Sequence, residues 1–176
     1  MISIGIVAED GREYYAQSCE FEPRKASEWV QKKVIACLDP CPNYGRPISS
    51  HTALHRMSGQ CLDYPTGFLQ SCHWRTRQQI KAEILAFMDV EEYGKPELHG
   101  WCSGYDWVAL CQLFGTMMDL PDGWPHFIND FQQVLDGRGI SDDELPEQEE
   151  GLHNALSDAL HLKKLWGYIV RNDCWQ

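Results

Sequence analysis

The sequence predicts an α/β domain, a mixed sheet layered with helices, and three observations predict it. Two Ile-, Val- and Tyr-rich runs open the chain around a turn; helical periodicities follow; and one further strand is placed between two of those helices. The 176 residues are a prior for one domain, assigned here to 1–172, and are long enough to bury a core.

The elements follow in order. Residues 2–8 and 13–19 flank Glu9-Asp10-Gly11-Arg12, and an Asp-Gly pair between two such runs predicts a hairpin. Residues 25–36 read as a helix turning Ala26, Trp29, Val30 and Val34 inward and Lys25, Lys32 and Lys33 outward. Residues 37–73, with four Pro and three Gly, lose periodicity and form an excursion on the domain. Helix returns over about 75–89, with Ile80, Ile84, Phe87 and Met88 as its apolar stripe and Arg77 and Lys81 sharing a face. Residues 97–102 read as a short strand. Ser103 is placed to cap a helix over 104–114 that buries Trp107, Leu110, Cys111 and Phe114. Pro121, Gly123 and Pro125 break the chain before a helix near 126–136. An acidic loop over 141–151 follows, then a last helix over 154–170 with Ala155, Ala159, Leu162, Trp166 and Ile169 at 4-3-4-3 spacing.

Composition excludes several classes. An apolar content of 43% argues against a disordered chain, and no apolar run approaches the roughly 20 residues that cross a bilayer, so no membrane partner is expected. The opening Met1–Ala8 is apolar but short, has no basic leader and runs into Glu9-Asp10-Gly11, which reads as strand and turn rather than secretory signal. Eight Cys in that setting predict reduced thiols and a cytoplasmic location. The net charge of −11 is unevenly spread: from Arg24 to Lys81 nine bases stand against three acids, whereas the rest carries six bases and 23 acids. A basic block beside an acidic body suits a phosphate backbone next to a cation site; the plainer alternative is an uneven solvated surface.

Asp106 falls in the first turn of a helix that follows a strand. Asp158 falls near the start of the last helix, four residues beyond Asn154, its expected cap. A carboxylate in such a place feels the positive end of the helix dipole and stays ionised, ready for a cation. The carboxyl end of a strand is also where α/β folds put their sites. His153 stands at the loop-to-helix junction, and a neutral imidazole there can take a proton from water near pH 7.

Four segments appear in order: Ile2–Ala16, Trp74-Arg-Thr-Arg-Gln-Gln-Ile80, Gly104-Tyr-Asp-Trp-Val-Ala-Leu-Cys-Gln-Leu-Phe-Gly115 and His153-Asn-Ala-Leu-Ser-Asp-Ala159. Together they resemble the bacterial and phage 3′–5′ exoribonucleases of the DEDDh exonuclease superfamily, distant relatives of ribonuclease T and the proofreading exonucleases. The resemblance spans residues 2 to about 170 apart from the excursion.

What it implies is a ribonuclease-H-like mixed sheet flanked by helices and two-metal hydrolysis of RNA phosphodiester bonds from single-stranded 3′ ends. Two Mg²⁺ or Mn²⁺ ions are held by four carboxylates in such a mechanism. Matched residue by residue, Asp106 would be the second-motif metal ligand, Asp158 the third-motif ligand and His153 the general base. The family's other two ligands lie in an Asp-x-Glu on a first, central strand, which precedes the segment that opens this chain; that strand is therefore expected to be missing between the hairpin and residues 97–102. Glu9 and Asp10 sit at the far end of the hairpin and are no substitutes. Unpaired backbone groups inside a core cost about 1–3 kcal/mol each, so a shortened reading of the gene is expected ahead of a truncated, inactive protein.

Trp74, Arg75, Arg77 and Lys81 offer a stacking face and charge to an entering single strand, unless Trp74 belongs to the core and the bases to solvent. Cys37-x₃-Cys41-x₉-His51-x₃-His55, with Cys61, Cys72 and His73 nearby, has zinc-ligand residue types, but the spacer is short and an ordinary insertion loop is the expectation. The alternative function is a catalytically inactive nucleic-acid-binding or regulatory remnant of the fold. A DNA 3′–5′ exonuclease is a third reading, since nothing identifies a contact to the 2′-OH. The resemblance implies RNA as the partner and leaves room for a homodimer, although the sequence itself shows no interface for one.

Overall fold

Alternation in the first twenty residues decides which face of the sheet meets which helix. The computed structural model describes residues 1–39, 60–62 and 69–173. Strands β1 (Ser3–Val7) and β2 (Glu13–Ser18) pair antiparallel, with Ile4 opposite Ala16 and Gly5 opposite Tyr15. The turn between them is the expected one: the Ala8 N–H donates to Arg12 O at 2.9 Å, the Gly11 N–H to Ala8 O at 3.1 Å, and Gly11 takes a φ of +94° that a side chain would resist.

Helix α1 is shorter than periodicity predicts, running Glu28–Lys33 between 3₁₀ turns at Pro23–Lys25 and Ile35–Cys37. The Ser27 hydroxyl accepts from the Val30 N–H at 3.3 Å and so starts the helix late. Trp29, expected inside, is 55% exposed.

Strands β3 (Gln60–Leu62) and β4 (Leu69–Ser71) pair antiparallel within the excursion read over 37–73. Strand β5 (Trp74–Arg75) lies parallel to β2, so that Arg75, expected to open the helix, is extended instead. Helix α2 (Arg77–Phe87) then begins at a capping box in which Thr76 and Gln79 satisfy each other's backbone N–H. A short helix α3 (Val90–Tyr93) follows an Asp89 cap.

The strand expected over 97–102 contracts to β6 (His99–Gly100), which leads into helix α4 (Gly104–Cys111). Strand β7 (Asn129–Asp130) runs parallel to β6 inside a segment predicted to be helical, and helix α5 (Phe131–Arg138) starts only after it. The cause is Asp130, whose carboxylate accepts from the Gln132 N–H at 3.0 Å and ends the extended stretch. Helix α6 (Ala155–Asp173) is capped as predicted: Asn154 Oδ1 accepts from the Leu156 and Ser157 N–H groups at 3.1 and 3.2 Å.

The architecture is mixed α/β. Among the described residues the strands fall into a β1-β2-β5 sheet, the β3-β4 pair and the β6-β7 pair. One face of the first sheet supplies Ile4, Ile6, Tyr14 and Ala16 to a core built with Ile80, Ile84 and Met88 of the α2 segment and Leu110 of α4. Each such aliphatic side chain is worth about 1.5–3 kcal/mol when fully buried. A second cluster joins Phe131 and Leu135 of α5 to Leu165 and Ile169 of α6. At the edge of the first core the Glu83 carboxylate takes one hydrogen bond from Arg75 Nε at 2.7 Å and one from the Tyr14 hydroxyl at 2.9 Å. Burial, then the Glu83 charge, holds that phenol protonated far above its usual range.

The opposite face carries Gly5, Tyr15 and Gln17 and meets the start of α6. A Cβ on Gly5 would lie 2.2 Å from the Ala155 carbonyl oxygen, so helix and strand approach as closely as two backbones can. Farther along α6, Lys163 donates from Nζ to Ala8 O at 2.6 Å and to Glu9 O at 3.0 Å, tying the helix to the hairpin turn. Substituting Gly5→Ala is expected to cost about 1–3 kcal/mol or more of stability, since the obstacle is backbone that cannot rotate away. Urea unfolding of the two proteins, compared at equal slope, measures it.

Candidate active site

The candidate residues sit where two helices begin. Asp106 is the third residue of α4, just past the carboxyl end of β6, and Asp158 is the fourth of α6. At both places the first-turn N–H groups lack intrahelical acceptors, and the helix dipole favours negative charge.

Each helix is entered through a strained residue. Among the described residues two non-glycines have positive φ, Cys102 at 50° and His153 at 67°, and each directly precedes the residue that opens its helix, Ser103 and Asn154. A left-handed conformation at a side-chain-bearing residue costs about 1–3 kcal/mol and persists only where surrounding contacts impose it. Those contacts are visible. Ser103, 2% exposed, does not cap α4 with its side chain as predicted. Instead its backbone N–H and hydroxyl donate to Asp130 Oδ2 at 2.6 and 3.0 Å. Asn154 donates from Nδ2 to the Tyr15 hydroxyl at 3.3 Å while its Oδ1 caps α6.

The surroundings of the three residues differ. Asp106 is exposed on its outer side, yet partial burial, and then the like charge of Asp130, raise its carboxyl above the ordinary range; the open side lets water screen much of the energetic effect. Among the described residues its carboxylate accepts no hydrogen bond and has no cationic partner. Asp130 behaves oppositely. Burial pushes it up, but the hydrogen bonds from Ser103, Gln133 and Gln132 outweigh that and hold it below the usual carboxylate range. Asp158 accepts from Gln148 Nε2 at 3.0 Å, a donor from the acidic loop. His153 packs edge-on to Trp29, ring centroids 5.1 Å apart.

No hydrogen bond or ion pair joins Asp106 to Asp158 or His153, and among the described residues no three His, Cys, Asp or Glu side chains gather closely enough to hold a metal ion. The donor chemistry still suits a hard divalent cation, which prefers carboxylate oxygen. Asp106 in particular is a carboxylate beside a second carboxylate with no counter-charge. Two oxygen donors on separate helices are a partial set, not a cage for two ions.

Of the residues expected to meet a nucleic acid, two are turned toward the protein. Trp74 is 2% exposed: it stacks on Phe21 at 6.3 Å and donates from Nε1 to Asp39 O at 3.0 Å, so its faces belong to the core. Arg75 is turned inward, onto Glu83 and the carbonyls of Cys72 and Trp74. Arg77 and Lys81 remain partly open to solvent, the first donating to Gln112 O at 3.2 Å and the second lying 5.0 Å over the Phe114 ring. Of the residues weighed for zinc, Cys41, His51 and His55 lie outside the described ones. Cys37 contacts the carbonyls of Lys33 and Leu152, and His73 Nδ1 pairs with Asp39 at 2.6 Å.

Asp130, Tyr15 and Trp29 were not identified as site residues from the sequence. Asp130 had a signal, an Asp directly before a helical apolar pattern. Tyr15 and Trp29 had none, since their neighbours Asn154 and His153 are distant in the chain.

The sequence profile of the family described as the 3′–5′ exoribonuclease Rv2179c-like domain matches residues 1–170. Two relatives named as 3′–5′ exoribonucleases, from Mycobacterium tuberculosis strains H37Rv and CDC 1551, are each 37% identical over 173 residues, covering 98% of this chain and 85% of theirs.

Replacing Trp74 with Ala is expected to lower stability by about 3–5 kcal/mol, as for a large buried aromatic. Thermal and urea unfolding measure this, and a stable Trp74→Ala protein with weakened RNA binding would instead return Trp74 to the substrate.

Proposed function

Because the chain belongs to the Rv2179c-like 3′–5′ exoribonuclease domain family, we propose that it removes nucleotides from RNA 3′ ends by metal-dependent phosphodiester hydrolysis, within a ribonuclease-H-like fold of the DEDDh type. The observation that carries this reading is Asp106, a carboxylate at a helix entry that has no hydrogen bond or cationic partner among the described residues and is raised by partial burial and then by the like charge of Asp130. Such a group is relieved by a divalent cation.

Asp106 and Asp158 are the residues that would hold Mg²⁺ or Mn²⁺. When bound, such a cation activates water and offsets the charge that develops on the phosphate and the leaving oxygen. His153 would accept the attacking water's proton at a ring nitrogen, its orientation held by the left-handed entry to α6 and by Trp29. Arg77 and Lys81 would follow the RNA phosphates along α2.

The family mechanism requires two more carboxylates, on an Asp-x-Glu strand. Among the described residues β1 pairs only with β2 and β6 only with β7, leaving each with an unused edge.

Expected outcomes follow for 3′-labelled single-stranded RNA with Mn²⁺, assayed on this chain and on a form extended at its N-terminus. Shortening from the 3′ end should depend on Asp106 and Asp158, each Asn variant losing at least about 100-fold, and His153→Ala should lose about 10²–10⁴-fold. Full activity in Asp106→Asn would end the proposal. Arg77→Ala with Lys81→Ala should weaken RNA binding and flatten its salt dependence by about one to two units of slope; unchanged affinity at two salt concentrations would remove both from the RNA path.

A second reading is favoured by one observation, that no three metal-ligating side chains converge among the described residues. In it the chain binds RNA without cleaving it. Binding without shortening, in both forms of the chain, would establish that reading in place of the first.

A further inference from the structure

We infer that Asp130 is the positioning residue for Asp106: by gripping Ser103 from the neighbouring strand it sets the first turn of α4, and with it the direction in which the Asp106 carboxylate is offered. The inference rests on the reading of Asp106 as a cation ligand and adds a residue to it.

Asp130 bridges two helix starts with one carboxylate. Oδ1 accepts from the Gln132 and Gln133 N–H groups at 3.0 and 3.4 Å and so caps α5. Oδ2 accepts from the Ser103 N–H at 2.6 Å and the Ser103 hydroxyl at 3.0 Å. Four donors fill the oxygens, which leaves Asp130 poorly suited to bind a cation itself and well suited to fix what lies next to it.

What lies next to it needs fixing. Cys102 holds a φ of 50° immediately before Ser103, a conformation the chain would leave if released. Gly100 is matched to the same arrangement, since a Cβ there would stand 2.7 Å from Ser103 Cβ. The β6-to-α4 connection is thus bent tightly, and its inner wall is the buried Ser103 held by Asp130. Asp106 follows three residues later, about one helical turn on, and has no hydrogen bond of its own among the described residues. Its placement therefore comes from the backbone that Asp130 anchors.

The geometry also says which substitutions separate the roles. Asp130→Ser keeps a good cap for α5 but its shorter side chain cannot reach Ser103. Asp130→Glu keeps the charge and moves the carboxylate by one methylene. Two readouts on the whole chain are needed: amide hydrogen exchange beside the melting temperature, and Mn²⁺ binding followed by the electron paramagnetic resonance signal of the free ion, with no turnover involved. In Asp130→Ser the first-turn amides of α4 should exchange about tenfold faster while those of α5 and the melting temperature hold, because the opening is local. Mn²⁺ affinity should fall several-fold in both Asp130→Ser and Asp130→Glu, and Asp106→Asn should abolish the site.

Unchanged exchange at α4 in Asp130→Ser overturns the inference. So does wild-type Mn²⁺ affinity in Asp130→Glu beside a loss in Asp130→Ser, which would make Asp130 a source of charge rather than of placement. If the unaltered chain takes up no Mn²⁺ and Asp106→Asn changes nothing, the cation reading of Asp106 fails, and with it any role for Asp130 in presenting a ligand, whatever the exchange data show about the turn.

Discussion

The closeness of α6 to β1 is the constraint on which the rest of the molecule depends. Gly5 permits it, because any side chain at that point would run into the Ala155 carbonyl. Once the helix start lies flat on the sheet, Asn154 can reach the Tyr15 hydroxyl, and Lys163 can reach the carbonyls of the hairpin turn two helical turns farther on. Those two ties fix both the rotation and the slide of α6. His153 and Asp158 inherit their places from it, since one precedes the cap and the other stands on the first turn.

A comparable logic operates at α4 with different parts. There the neighbouring parallel strand supplies the anchor through Asp130, and a buried Ser103 receives it. Both helices thus start at a left-handed residue that side-chain hydrogen bonds keep bent. This arrangement spends backbone strain to aim two carboxylates that make few protein contacts of their own. Asp106 keeps its acceptor capacity spare, although burial and the Asp130 charge make it less readily an anion, whereas Asp130, its oxygens filled by four donors, is held as one.

Charge follows the same division. Asp106, without a partner among the described residues, and the partly engaged Asp158 belong to the acidic remainder of the chain, and the partly exposed Arg77 and Lys81 to the basic block from Arg24 to Lys81. Arg75, in the same basic stretch, is consumed by Glu83 and two carbonyls, so the block is less basic on its surface than in its composition. The family match over residues 1–170 gives these features a shared context, an enzyme class that works on RNA 3′ ends.

Much of this was legible without coordinates. The Asp-Gly hairpin, the apolar stripe of α2, the Asn154 cap and the entry positions of Asp106 and Asp158 all depend on neighbours within a few residues, and local propensity decides such features. Partners far along the chain decided the others. Trp74 is core and Trp29 is exposed because β5 pairs with β2 while α1 ends after six residues. Asp130 became an anchor only when β7 lay alongside β6, and Cys102 and His153 took left-handed backbone only because distant hydrogen bonds held them there. The sequence by itself determined the hairpin, the main helices and the acids that stand at two of their entries. The tertiary structure alone decided which aromatics and bases were spent on the core, because burial and strain are set by contacts that no window of adjacent residues contains.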